Sequence, residues 1–358
     1  MPTTKPFLTF CVPTWNRQRE VEVCIRSIAE QIKASIRSVT IIVQDDCSTD
    51  GTRSSIEALQ QAYPGIIEYR CTEKRTDYSA AFKSLFTAPS AEWVWTFGDD
   101  DQLEPGALDR ILPILTETDA QFLHCVEKGR ESGSNRMFRG KLLALCNSFG
   151  WLDMTGFITC NIVRGDKLRQ SAESPYWKQY AKSAFAQSCA LLEVLQDEQS
   201  ALIDVPLVST QNASQTQECV DRWAADRIGE RYMLVADCLE LMFDEGILKN
   251  KLKKAFFRYQ NYHLWDRHIT YFIADYVNQG LMRPSSDWDS QAKLAKFLYD
   301  DLFATALVGE IEMVRGLITL HSYLESNLGG IKAEIEAVSA RRGESSYPWG
   351  YVIPRELH

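Results

Sequence analysis

The sequence predicts an α/β fold, with a mainly parallel sheet in residues 1–214 and a helical region over 215–358. Three observations carry that reading. Strand and helix patterns alternate without exception over the first 115 residues. Runs such as "SVTIIVQDD" are β-branched and continuously apolar before their acidic end, as in strands covered on both faces. From residue 216 to 341 turn signals thin out and long helical patterns take over, as in "DRWAADRIGERYMLVADCLELMF".

The elements follow in order. "FLTFCVP" is a short β-rich run ended by Pro13. "REVEVCIRSIAEQI" places Val21, Val23, Ile25, Ile28 and Ile32 where a helix lying on a sheet needs them. "SVTIIVQDD" is the second strand, and the capping and turn cluster "CSTDGT" leads into the helical "RSSIEALQQAY". Then come "GIIEYRC" as strand, "DYSAAFKSLFTA" as helix, "EWVWTFG" as strand, and a helix opening near Pro105. Such alternation implies right-handed crossovers and parallel pairing. Residues 116–214 are less regular, with strands at "AQFLHCV" and "GFITCNIVR" and a helix at "YAKSAFAQSCALLEVL". The polar segment "KGRESGSNRMFRGK" reads as a mobile loop.

Composition narrows the function. The chain has 358 residues, 45% of them hydrophobic, and a net charge of -9, which argues against nucleic-acid partners because these need a basic face. The N-terminal apolar run is too short for a signal peptide, and no segment approaches the roughly 18 apolar residues of a membrane span. The ten cysteines contain no Cys-x-x-Cys pair, and the five histidines show no metal-binding spacing. These features together lead us to expect a cytoplasmic protein with reduced thiols.

The stretch that asks for a function is "AEWVWTFGDDDQLEPGALDRIL". Three adjacent carboxylates, Asp99, Asp100 and Asp101, follow a strand. In an open α/β sheet, ligands bind at that strand edge. Hard carboxylate oxygens there suit Mg²⁺ or Mn²⁺, which take few protein ligands plus phosphate oxygens. The competing reading is an acidic turn capping the helix near Pro105, which accounts for one aspartate better than for three.

Together, "TFCVPTWNR", "IIVQDDCSTDGT" and "WTFGDDDQLEPGAL" resemble the landmarks of family-two glycosyltransferases of the GT-A fold. The resemblance is specific over about residues 6–115 and looser to about 210. The Gly-Asp-Asp-Asp form after an aromatic strand looks like the branch containing O-antigen abequosyltransferases and related polysaccharide-building enzymes. The resemblance implies a nucleotide-binding half over 1–115 and an acceptor half over 116–214. It implies that Pro13 and Thr14 line the nucleotide pocket, that Asp45 accepts the base N–H with Asp46 nearby, and that Asp99 meets ribose or metal-bound water. Asp100 matches the principal ligand of Mn²⁺ or Mg²⁺, with Asp101 as second ligand or orienting group. Helix capping is an equally open role for Asp46 and Ser48.

Two departures from the pattern stand out. Many relatives carry an arginine or an asparagine-glycine element just before the third helix, where this chain has Asp77; Arg75 lies two places early, with Lys74 and Lys83 as other candidates to reach the diphosphate. The usual Glu-Asp pair at the start of a helix about 90 residues after the metal motif is missing. The proton acceptor is therefore sought in Asp153 or Glu173, with Asp166 and Glu193 less favoured and Glu193 expected on a solvent face. Trp151, Tyr176 and Trp177 fill the acceptor side or the core equally well. The basic run "KNKLKKAFFRYQNY" suits either an anionic membrane surface or solvent.

The expectation is an inverting, metal-dependent transfer of a sugar from a nucleoside diphosphate sugar donor to a hydroxyl of a bacterial surface glycan or lipid-linked glycan. A peripheral contact with the inner membrane face is compatible with it. The alternatives are a sugar-1-phosphate nucleotidyltransferase and a non-catalytic nucleotide-sugar-binding scaffold.

Overall fold

The computed structural model describes residues 5–32, 35, 37–76, 78–87, 90–149, 154–179 and 185–210. The expected helical region over 215–358, with its basic run, lies outside the described residues.

Among the described residues a nine-stranded sheet is the frame. Its order is β3-β2-β1-β4-β8-β6-β9-β5, with β7 also paired to β9. The strands β1 (Leu8–Thr14), β2 (Val39–Asp45), β3 (Ile67–Cys71) and β4 (Trp93–Thr96) are the four predicted from the first half of the sequence. They pair in parallel, β1 lying between β2 and β4. All seven β1 residues except Pro13 are buried, as a strand covered on both faces requires.

The second half is mixed. β8 (Asn161–Arg164) runs antiparallel to both β4 and β6 (Phe122–Glu127). The reason is local: a 3₁₀ turn, Ile158–Cys160, precedes β8 at the edge where β4 ends. There Thr96 Oγ1 donates to the Ile158 carbonyl at 2.8 Å. A strand that starts where its neighbour ends must run back along it. β9 (Gln199–Thr210) is parallel to β6 and antiparallel to β5 (Asp101–Leu103) and β7 (Met137–Lys141).

Helices cover the frame. They are α1 (Gln18–Ile32), α2 (Thr52–Ala62), α3 (Tyr78–Thr87), α4 (Ala107–Glu117), α5 (Leu142–Phe149), α6 (Gly165–Ala172), α7 (Tyr176–Gln179) and α8 (Ala186–Leu195). α1 buries Val21, Cys24, Ile25, Ile28, Ala29 and Ile32, spaced at three and four residues, against the sheet. Inside, Phe10 stacks on Trp95 with ring centroids 5.0 Å apart. Both buried strand indoles satisfy their N–H groups, Trp93 on the Leu115 carbonyl at 3.1 Å and Trp95 on that of Thr159 at 2.8 Å.

The segment expected to be a mobile loop is a loop only over residues 128–136. Its last five residues, 137–141, form β7. The strand was hidden because Arg139, Gly140 and Lys141 carry the polar character of an edge strand. The middle of the segment is tied to Asp204, which is fully buried on β9. Asp204 accepts the Ser132 N–H at 2.8 Å, the Ser134 N–H at 3.1 Å and both serine hydroxyls.

Candidate active site

β1, β2 and β3 end level with one another, and β4 stops beside Cys11. Thr14 of β1 is in register with Asp45 of β2, and Cys11 with Thr96 of β4. Everything that follows those ends projects from one edge of the sheet. The loops after β1 and β2 are stitched to each other. Asn16 takes a left-handed conformation (φ 50°), which asparagine tolerates well. From it the backbone N–H donates to Ser48 Oγ at 2.8 Å, and the side-chain oxygen accepts the Thr49 N–H at 2.8 Å.

The acidic turn after β4 receives its positive charge from Arg17, in the loop after β1. Arg17 Nη1 lies 2.8 Å from Asp99 Oδ1 and 2.7 Å from Asp100 Oδ2. Thr14 Oγ1 donates to the other Asp99 oxygen at 2.8 Å. Asp101 turns inward and accepts the Thr159 hydroxyl, which itself accepts the Gly98 N–H at 2.9 Å. Gly98 is required here, since a Cβ on it would stand 2.5 Å from Asp101 Oδ2 and 3.2 Å from Asp100 Oδ1. The turn is thus held from three segments far apart in sequence.

Its electrostatics follow from burial. Asp99 is pushed up to about 6 by desolvation and by Asp100, with Arg17 and the Thr14 hydroxyl pulling it down. Burial, then the charge of Asp100, holds Asp101 well above the usual carboxylate range. Asp100 is the open member, its side chain 36% exposed against 10% for Asp99.

The other predicted residues separate into groups. Pro13 is half-buried beside Gln44 on β2. Asp45 has no exposed surface, and both its oxygens hold bonds within the chain. Ser48 donates to Oδ1 through its N–H at 2.9 Å and its hydroxyl at 2.6 Å, and the Tyr69 hydroxyl to Oδ2 at 2.6 Å. Asp46 accepts the Thr76 N–H at 3.0 Å and the hydroxyls of Thr72 and Thr76, so it anchors the loop that carries Arg75. Arg75 lies over the Trp15 ring, its guanidinium carbon 3.5 Å from the centroid. Lys74 is exposed and Lys83 half-buried on α3. Asp77, Trp151 and Asp153 lie outside the described residues.

On the acceptor side, Glu173 is exposed and caps the C-terminus of α6. Asp166 sits in the first turn of α6, beside Gly165, whose N–H donates to the Glu92 carbonyl at 2.9 Å before β4 begins. That is the opposite edge of the sheet from the acidic turn. Glu193 is half-buried rather than solvent-facing, and its Oε2 is enclosed without a hydrogen-bond partner among the described residues. No acidic residue occupies the first turn of α8, as the sequence implied. Tyr176 and Trp177 are core residues: Trp177 packs on Phe86 at 4.9 Å between centroids and donates to the Ser171 carbonyl at 2.9 Å. His124 is also internal, bonded to Asn161 at 2.9 Å.

Sequence reasoning assigned no role to Arg17, Thr159 or Tyr69. A signal existed for Arg17. Three carboxylates at one strand end need a cation, and Arg17 is the basic residue following the adjacent strand end. Thr159 had no such signal, because only the antiparallel return of β8 brings it under the turn.

Comparison with known proteins agrees with this frame. The abequosyltransferase RfbV of Salmonella typhimurium is 30% identical over 121 residues, covering 34% of this chain and 36% of that protein. The GalNAc(5)-diNAcBac-PP-undecaprenol beta-1,3-glucosyltransferase of Campylobacter jejuni is 31% identical over 137 residues, covering 38% and 43%. The chain thus matches well under half the length of these curated relatives. S. aureus TarS, solved in complex with UDP-GlcNAc, superimposes with a TM-score of 0.51 at 15% identity, covering 95% of this chain and 93% of that one. The fold is of the GT-A type. The family model described as glycosyl transferase family 2 matches residues 9–170, a stretch that holds the whole acidic turn and the loops facing it.

Proposed function

We propose that this protein is an inverting, metal-dependent glycosyltransferase of surface-glycan assembly. Its substrates are a nucleoside diphosphate sugar and a glycan or lipid-linked glycan hydroxyl. The observation that carries the reading is the acidic turn at the C-terminal edge of β4, where Asp99 and Asp100 face a single cationic nitrogen. The family 2 match over the same residues supports it, and the names of the two relatives support a glycan acceptor, lipid-linked in one case.

Asp99 and Asp100 fit a divalent cation. Their oxygens are hard donors converging on one point, and Asp100 opens to solvent. Asp101, engaged by Thr159, fits a second-ligand role less well and serves the turn. When bound, Mn²⁺ or Mg²⁺ would offset the charge of the departing diphosphate. The rest falls to the chain. Pro13, Thr14 and Trp15 form one wall of the nucleotide pocket, Asp45 and Asp46 fix the opposite loops, and Arg75 is positioned by Trp15. In the transfer, the acceptor oxygen bonds to the anomeric carbon as the bond to the diphosphate breaks, and the hydroxyl proton passes to a carboxylate. Glu173 and Asp153 are the candidates for that carboxylate, while Asp166 lies on the wrong sheet edge. Among the described residues no helix is long and apolar enough to cross a membrane.

The absence of a carboxylate in the first turn of α8 favours one second reading, a nucleotide-sugar-binding protein without transfer. A thermal-shift screen of nucleoside diphosphates and nucleotide sugars, with and without Mn²⁺, tests the first half of the proposal. Stabilisation that needs both nucleotide and metal supports it, and no stabilisation by any of them sinks it. Assaying Glu173→Gln and Asp153→Asn for donor affinity and turnover then separates the readings. Loss of turnover by about 10² to 10⁴ with affinity kept, in one variant, identifies the proton acceptor. Donor binding by the wild type with no turnover on any acceptor favours the scaffold.

A further inference from the structure

Arg17 occupies the one point that Asp99 and Asp100 share. We infer that it is a resident counter-cation that competes with the divalent metal, so that metal entry requires the guanidinium to leave the acidic turn. The inference rests on the metal reading above and adds to it a step that precedes donor binding.

A single nitrogen, Nη1, makes both contacts, at 2.8 Å to Asp99 Oδ1 and 2.7 Å to Asp100 Oδ2. Those two oxygens therefore converge on a single position. Asp99 Oδ1 and Asp100 Oδ2 are the oxygens that would hold Mg²⁺ or Mn²⁺, and the Arg17 nitrogen engages both. Guanidinium and metal exclude each other there, by volume and by charge. The second Asp99 oxygen is held by the buried Thr14, so that carboxylate cannot swing away to serve both cations. Asp100 is the exposed member of the pair, which makes it the side from which a cation enters.

The main chain that carries Arg17 is anchored by bonds of its own. The Arg17 carbonyl accepts the Val21 N–H at 3.0 Å, and the next residue, Gln18, is held through its N–H by Asp50 at 3.2 Å. The main chain at the start of α1 is thus fixed independently of the guanidinium. Without the metal, Arg17 offsets the repulsion among adjacent carboxylates; with it, the side chain is surplus. Metal affinity in the absence of nucleotide is consequently set by the cost of evicting Arg17.

The test is Mn²⁺ binding to the full chain without nucleotide, read by electron paramagnetic resonance of free Mn²⁺, for wild type, Arg17→Gln and Arg17→Lys. Arg17→Gln should bind Mn²⁺ at least about tenfold more tightly, and Arg17→Lys should fall between, since a point charge bridges two carboxylates less well. Metal-free Arg17→Gln should melt below wild type, and saturating Mn²⁺ should shrink that difference. Should Arg17→Gln fail to fold, tighter binding by Arg17→Lys supports the competition in its place. Equal or weaker Mn²⁺ binding by the folded variants overturns the competition and leaves the metal reading standing. Failure of both wild type and variants to bind Mn²⁺, with or without nucleotide, overturns both.

Discussion

Asp99, Asp100 and Asp101 are adjacent in sequence but differ in environment, and the difference assigns their work. Asp100 is half open and shares its charge with Arg17, Asp99 is pinned between Arg17 and Thr14, and Asp101 faces inward to Thr159. Asp100→Ala should therefore abolish Mn²⁺-dependent nucleotide binding while leaving the melting temperature nearly unchanged; donor binding with the same Mn²⁺ dependence would remove the metal assignment. Asp45 is the contrasting residue. Buried and bonded to Ser48 and Tyr69, it holds the loop after β2 against β3. Asp45→Ala should weaken donor binding and also cost about 1.5–3 kcal/mol of stability, the usual range for hydrogen bonds to a charged group. Denaturant unfolding beside nucleotide titration checks this, and lost affinity at full stability would return Asp45 to direct contact with the base.

At the scale of elements, the turn between β4 and β5 depends on a glycine and on a neighbouring return strand. Gly98→Ala places a methyl into the Asp101 carboxylate, which is locked to Thr159, so the site must shift. About 1–3 kcal/mol of destabilisation is expected from such crowding, with loss of metal-dependent binding even though no ligand was replaced. A fully active, equally stable Gly98→Ala protein would show that the turn is softer than its contacts suggest. The loop before β7 offers the second element-level test. Asp204 on β9 gathers Ser132 and Ser134, so Asp204→Ala should release the loop. Cleavage after Arg130 or Arg136 in limited trypsin digestion should speed up, whereas an unchanged digestion rate would mean that other contacts hold the segment.

The whole molecule carries buried titratable groups whose pH effects oppose each other. His124 is enclosed at the end of its bond to Asn161, and burial lowers it to about 4 from an ordinary value near 6.5. Between those values the unfolded chain binds a proton that the folded chain refuses, so the His124 contribution to stability is lost as pH falls from about 6.5 to 4. Asp99, raised to about 6, acts in reverse: the folded chain binds the extra proton, and stability is gained as pH falls over that window. Replacing the histidine isolates the first effect. The melting temperature of His124→Gln, relative to wild type, should rise as pH is lowered from 7 to 5. A difference that stays constant with pH would show that His124 is not the group responsible.

What the sequence by itself determined is local. Apolar runs with fixed periods specify β1 to β4 and the helices between them, because burying such a run on both faces leaves a parallel sheet as the outcome. The same locality placed the acidic turn at the correct sheet edge, since the end of β4 is visible in "EWVWTFG". β5, β7 and β9 were not legible in this way. β5 is three residues long and β7 is polar, and each is a strand only because β9 lies beside it. The partners of the site belong to that second kind. Nothing between residues 17 and 99, or between 101 and 159, ties those positions together in sequence. Arg17 meets Asp99 because β1 and β4 are neighbours in register, and Thr159 reaches Asp101 because β8 turns back at the edge where β4 stops. A charge pattern announces that a countercharge is needed, but only the pairing of distant strands decides which side chain supplies it.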